Sequence, residues 1–237
     1  MTRISVTLGF LPSRRVAHTA WTEQMRTESL ALLEGLPGVR VVAPGVAEDG
    51  LLDPASGATP HGTVSTLGEA EAVAALFWRE AVDALVICPL DFGDERSAVK
   101  VAELLGVPAL LYATAEPPAR DDASLARVSD SYCGTLSIAA GLTRRRLPFR
   151  FAGIHFPTDT ALAAEAETFL RAMGVVKALR GARIGQVGVR PAAFESVAYD
   201  EVSMARTFGQ NVVPCNLADI VDAAQALADD DPHVIER

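Results

Sequence analysis

The sequence predicts an α/β fold built on a parallel β-sheet with helices on both faces. Short apolar runs, such as residues 84–88, alternate along the chain with segments of helical periodicity. These runs lack the polar alternation of a half-exposed strand, which indicates strands covered on both faces. With 237 residues, 49% of them hydrophobic, the chain can bury a substantial core. Together these observations favour a Rossmann/flavodoxin-like, doubly wound parallel sheet.

The first part of the chain shows this alternation most clearly. The predicted elements are, in order, a strand at residues 4–9, a helix at 21–36, a strand at 39–42, a helix at 66–82, a strand at 84–88, a helix at 97–105, a strand at 108–112, a helix at 131–146 and a strand at 149–153. A further helix follows residue 159, with Leu162, Ala166, Phe169, Leu170 and Met173 on one face.

A second α/β unit begins after this helix. It comprises a strand at residues 183–188, a helix at 200–208, a strand at 211–213 and a helix at 217–227. We therefore expect an N-terminal Rossmann-like domain at residues 1–178 and a partial second domain at 179–237. So few strands do not make a self-sufficient domain. Three roles are open for the second unit: it packs on the first domain, it pairs with another chain, or it is the start of a larger domain. As an incomplete unit we expect it to expose an apolar face.

Two segments, residues 44–63 and 114–130, show no hydrophobic period and contain several glycines or prolines. Loops of this length inside a compact domain are often binding lids. A disordered surface insert explains the same composition.

Composition and charge restrict the possible partners. The net charge of −9 argues against nucleic acid and anionic membranes, and no apolar run reaches the roughly 18 residues that a membrane span requires. No signal peptide is recognisable, and three widely spaced cysteines are typical of free thiols in the cytoplasm. The histidines and cysteines show no metal-binding spacing.

Candidate binding residues follow the predicted strands, because ligands of doubly wound sheets bind outside the carboxyl ends of the strands. Arginines and carboxylates there suit a polyhydroxylated or anionic ligand. The arginines could instead be solvated or salt-bridged, the aspartates could cap the helix at 97–105, and Phe194 could belong to the core. The candidates are Arg14 and Arg15 after the first strand, Asp91 and Asp94 after the third, and Arg190, Pro191 and Phe194 after the strand at 183–188.

Several motifs resemble those of the L-fucose/L-arabinose isomerase family. The loop GVRPAAF at 188–194 is followed by Tyr199-Asp200-Glu201 and then by Phe208-Gly209 before the next strand. The segments LDFGDE at 90–95 and SYCG at 131–134 are also similar to this family.

The resemblance implies a metal-assisted aldose–ketose isomerisation, in which Mn²⁺ binds two sugar oxygens and two acidic residues move a proton through an enediol. It also implies an oligomer whose N-terminal domains lend residues to a neighbour's active site. The family's metal ligands come from a later part of a longer chain, so we carry over no catalytic residue and expect no metal or other cofactor in this chain alone. The seven candidates above are the expected substrate contacts.

We therefore expect the N-terminal part of a sugar isomerase-like protein that is inactive without a metal-binding C-terminal part. Its partners would be a monosaccharide and either further copies of itself or a catalytic partner chain. A non-catalytic sugar-binding or regulatory subunit is the alternative, and a remnant with neither activity nor affinity is a third.

Overall fold

The protein is represented by a computed structural model that describes residues 5–15, 17–117, 127–228 and 231. The chain divides into two compact units, residues 1–174 and 175–237. The boundary expected from the sequence, between residues 178 and 179, stays a prediction.

The first unit is a doubly wound α/β sheet, as predicted. In the described part of the chain, five parallel strands lie in the order β2-β1-β3-β4-β5. This is the flavodoxin-like order, whose direction reverses between β1 and β3. The elements are β1 (Val6–Ser13), α1 (Ala20–Glu34), β2 (Val39–Val42), α2 (Leu67–Arg79), β3 (Ala84–Pro89), α3 (Glu95–Leu105), β4 (Ala109–Thr114), α4 (Ser131–Arg144), β5 (Phe149–His155) and α5 (Thr160–Leu179), which continues into the second unit.

Helices cover both faces of this sheet. On one face, α2, α3 and α4 pack against alternate strand residues such as Leu85 and Leu111 in one apolar cluster. On the other face, Ser29 of α1 hydrogen-bonds the hydroxyl of Tyr112 on β4 at 2.5 Å. The predicted apolar stripe of α5, from Leu162 to Met173, is buried as well. The central strands are therefore enclosed, which explains their continuous apolar runs.

The first strand extends further than the sequence suggested. Ile4 lies outside the described residues, and the prediction that the strand ends at residue 9 was wrong, because β1 continues to Ser13 beside β3. Pro12 is tolerated because of its orientation in the sheet. Its carbonyl accepts a hydrogen bond from Val64 N–H at 2.8 Å, so its nitrogen, which carries no proton, faces the side on which β2 has already ended.

The segment at 44–63 is irregular, but a short helical turn and isolated β-bridges hold it in place. It contains a 3₁₀ turn at Pro60–Gly62 and a parallel bridge between Val46 and Thr59. At its end, Val64 forms a parallel bridge with Ser13 of β1.

The other irregular segment, predicted at 114–130, includes residues 118–126, which lie outside the described residues. Its two described ends are joined by Glu116. The Glu116 carboxylate accepts hydrogen bonds from the N–H groups of Val128, Ser129 and Asp130. Partial burial acts to raise the pKa of Glu116, but the hydrogen bonds from Ser129 and its neighbours outweigh it and lower the pKa.

The second unit pairs two parallel strands, within the residues described, and carries two helices. These elements are β6 (Arg183–Val187), α6 (Glu201–Phe208), β7 (Asn211–Cys215) and α7 (Leu217–Gln225). Every buried hydrophobic side chain among the described residues lies between Val6 and Met173, so no apolar side chain described in this unit is fully buried, and many are exposed. Val189, for example, is 89% exposed.

The three cysteines are free thiols, as predicted. None of the helices in the described ranges has the length and apolar character that a membrane crossing requires.

Candidate functional site

The four candidates of the first unit meet at the point where the strand order reverses. Arg14 and Arg15 directly follow β1, and Asp91 and Asp94 lie in the loop between β3 and α3. Since β1 and β3 are parallel neighbours, their carboxyl ends open into one crevice. We call this place, around which the four residues lie, the β1–β3 crevice.

Asp91 organises the floor of the crevice. Its side chain is buried, and one carboxylate oxygen accepts hydrogen bonds from Arg15 N–H at 2.9 Å and from Gly93 N–H at 2.7 Å. This contact joins the loop after β1 to the loop after β3. Asp91 is therefore a structural residue of the site, and its bonded oxygen is already occupied by two backbone donors.

Asp94 both caps a helix and faces the crevice. One of its oxygens accepts from Ser97 N–H at 2.8 Å, which is the helix cap that the sequence allowed as an alternative. Its other oxygen lies 3.9 Å from the Arg15 guanidinium. The Asp94 backbone is fixed to the end of β1, because its N–H donates to the hydroxyl of Ser13 at 2.9 Å.

The two arginines are held in different ways. The Arg15 guanidinium lies 4.6 Å above the centre of the Phe92 ring, a cation–π arrangement, and its side chain remains 44% exposed. Arg14 is bound on the other side of β1, where its Nε donates to the hydroxyl of Thr63 at 3.2 Å. Both guanidinium groups are therefore held by side chains of neighbouring loops.

Sequence reasoning missed several residues that build this site. Ser13 and Thr63 support Asp94 and Arg14, and Phe92 supports Arg15. Ser13 was missed because the strand was predicted to end at residue 9. Thr63 was missed because it lies in the segment at 44–63, which gives no periodic signal.

Gly134 in the first turn of α4 is another missed residue. A Cβ at this position would lie 1.5 Å from the carbonyl oxygen of Phe92. The loop that carries Phe92 and Asp94 therefore lies directly on α4, and only glycine permits that approach. The SYCG motif contains this glycine, so the signal was present in the sequence.

The candidates of the second unit form a separate loop after β6. The Arg190 guanidinium donates to the carbonyl of Phe194 at 2.8 Å and so closes the loop, while the Phe194 side chain is 56% exposed. A pocket of about 420 Å³ is lined by Arg190 together with residues of β6 and Tyr199. Two residues of this pocket are joined, because the Tyr199 hydroxyl donates to the side-chain oxygen of Gln186. Pro191 lies in the same loop, and its carbonyl accepts from Phe194 N–H at 3.0 Å.

The described side chains do not fit a manganese site. Asp91 and Asp94 each commit an oxygen to backbone N–H groups. No group of three or more His, Cys, Asp or Glu side chains in the described ranges could hold a metal ion. What the crevice offers is hydrogen-bond donors and acceptors in a fixed arrangement.

Comparison with known proteins identifies a family. The N-terminal domain of fucose/sulfoquinovose isomerases matches residues 50–180, which is more than half of the chain. The matched range contains Asp91 and Asp94, whereas Arg14, Arg15 and the loop at 190–194 lie outside it. No curated protein matches the chain.

Proposed function

Because the chain belongs to the fucose/sulfoquinovose isomerase family through its N-terminal domain, we propose that it supplies a sugar-binding part of an aldose–ketose isomerase. The observation that carries this proposal is the β1–β3 crevice. It lies at the reversal of strand order, where doubly wound folds bind ligands, and the partly exposed side chains of Arg15 and Asp94 lie there side by side.

The arrangement suits a monosaccharide. A sugar presents adjacent hydroxyl groups that both donate and accept hydrogen bonds. The guanidinium of Arg15, fixed against Phe92, offers several N–H donors in one plane, and Asp94 beside it offers an acceptor. The same guanidinium would pair with the sulfonate of a sulfonated sugar. The resemblance to L-arabinose isomerases adds that pentose as a candidate.

We further propose that this chain alone does not isomerise sugars. Its resemblance to the family implies a Mn²⁺-dependent proton transfer, and among the described residues no group of three or more His, Cys, Asp or Glu side chains could hold the metal. The metal and the acid–base pair would come from other residues that meet the bound sugar, in a homo-oligomer or in a catalytic partner chain. The acidic composition and free thiols support a cytoplasmic location.

Titration calorimetry with L-fucose, L-arabinose and sulfoquinovose tests the binding part. We expect one of these sugars to bind with the same affinity in Mn²⁺ and in EDTA. Arg15→Gln should raise its Kd roughly 10- to 150-fold, because a hydrogen bond to a charged group contributes about 1.5–3 kcal/mol. Arg40→Gln is the matched control, since Arg40 pairs with Glu80 at the opposite end of the sheet. Equal losses in both variants would contradict the assignment.

An isomerase assay tests the catalytic part. We expect no ketose from the chain with Mn²⁺ alone, and turnover when a metal-binding family partner is added. Failure of every such mixture, together with retained sugar affinity, would favour the alternative of a non-catalytic sugar-binding or regulatory subunit. Turnover by the chain alone would overturn the proposal of a split function.

A further inference from the structure

Two histidines from distant segments form a stack next to the β1–β3 crevice. His18 lies between β1 and α1, and His61 lies in the irregular segment at 44–63. Their rings are parallel to within 4°, with centres 4.1 Å apart. His61 is exposed on the surface, whereas His18 is half-buried.

The backbone at His61 is held in an uncommon conformation. Its φ of 61° lies in the left-handed region, which non-glycine residues seldom adopt. Gly62 follows with a φ of 62°, and Arg26 of α1 donates from Nε to the Gly62 carbonyl at 2.9 Å. Arg26 also donates to the Pro44 carbonyl at 3.1 Å, so α1 fixes both ends of the segment. This anchoring places the His61 ring on His18.

The same segment holds Arg14. Arg14 donates from its backbone N–H to the Val64 carbonyl at 2.9 Å and from Nε to the Thr63 hydroxyl at 3.2 Å. Only two or three residues separate these contacts from His61. A displacement of His61 would therefore be transmitted directly to the groups that position Arg14.

Charged groups from three elements surround the stack. Arg14 approaches from the end of β1, Glu23 of α1 lies 3.7 Å from His18 Nε2, and Glu69 is on α2. Desolvation by the groups next to its ring, followed by the charges of His18 and Arg14, lowers the pKa of His61, while Glu23 and Glu69 act in the opposite direction. Two stacked imidazoles that are both protonated repel each other, so the second protonation opposes the stack.

We propose that His18 and His61 are a positioning pair that keeps the segment at 60–64, and with it Arg14, in the sugar-binding arrangement while one ring is neutral. The proposal rests on the proposed role of Arg14 in binding the sugar. Because His61 titrates lower in the folded chain than in the unfolded chain, its contribution to the fold is complete above about pH 6.5. That contribution is lost as the pH falls through the folded pKa.

The first test is an NMR titration of the full chain from pH 7.5 to 5 without any sugar. The amide signals of Arg14 and Val64 should move together with the second protonation of the pair. In His18→Asn, the pKa of His61 should rise and the coupled movement at Arg14 should disappear. Two results would overturn the proposal. One is that the amide signals of Arg14 and Val64 do not move as His61 titrates, and the other is that the titration of His61 is unchanged in His18→Asn.

The second test measures the Kd of the sugar that the calorimetry identifies across the same pH range. The Kd should rise toward tenfold per pH unit below the second protonation. In His61→Asn the rise should vanish, since asparagine tolerates positive φ but does not titrate. An unchanged pH slope in His61→Asn would refute the pair's role. If no sugar binds at any pH, the proposed function fails, and the NMR titration still decides whether the pair positions Arg14.

Discussion

At the scale of single residues, the crevice depends on side chains that accept hydrogen bonds from the backbone of its own loops. Asp91 was predicted as a substrate contact, yet its bonded oxygen joins two loops through Arg15 N–H and Gly93 N–H. Asp94 and Arg15 retain accessible surface beside these contacts. The residues that shape the crevice and those that face its ligand are thus partly different.

Replacement of Asp91 separates hydrogen bonding from charge. Asp91→Ala leaves the N–H groups of Gly93 and Arg15 without their acceptor, the first bond being buried and the second partly buried, and a buried group of this kind costs about 1–3 kcal/mol. Asp91→Asn keeps an oxygen that can accept from both, so we expect a smaller loss of unfolding free energy. Urea denaturation of the two variants measures the difference. Equal losses would mean that the negative charge, and not the acceptor, is what the fold requires.

At the scale of elements, the close approach of a loop and a helix fixes the crevice. The loop after β3 lies on α4 at Gly134, and the 44–63 segment lies against the end of β1 at Val64. The apolar runs and helical periods predicted the strands and helices near these contacts. They did not reveal the contacts, because neither a glycine within a motif nor a loop without periodicity identifies the distant residue that it contacts. For the same reason the predicted end of β1 was wrong, since Val64, whose N–H binds the Pro12 carbonyl, is distant in sequence.

Gly134→Ala should therefore destabilise the protein, even though alanine is the better helix former. The added methyl would meet the Phe92 carbonyl, and overpacking of this kind costs about 1–3 kcal/mol or more. Gly174→Ala in α5 is the matched control, because its nearest neighbour is a Val6 methyl at 4.0 Å. That variant should gain about 0.4–1 kcal/mol. Thermal denaturation that ranks the two variants in the opposite order would contradict the close contact between Gly134 and the Phe92 carbonyl.

At the scale of the whole molecule, the two units differ in how much core they contain. Every buried apolar side chain described lies at or before Met173, whereas large apolar side chains such as Val187, Val202 and Leu217 of the second unit are exposed. The exposed apolar surface agrees with the expectation from its few strands. The family match ends at residue 180, close to this change.

A chain shortened to end at Leu179 should keep the stability of the first unit. Because the second unit contributes no buried apolar side chain among its described residues, we expect the melting temperature to change by less than about 4 °C, or about 1 kcal/mol. Calorimetry of the shortened and the full chain makes the comparison. A much larger fall would show that the first unit depends on residues after 179.

The most direct test of the central claim is to map sugar binding onto the backbone. Amide signals of the full chain would be followed by NMR during separate titrations with L-fucose, L-arabinose and sulfoquinovose. We expect one of these sugars to shift the signals of residues 13–15, 61–64 and 91–94, which surround the β1–β3 crevice. Saturable shifts confined to other parts of the chain, or no shifts with any of the three sugars, would contradict the proposed sugar site.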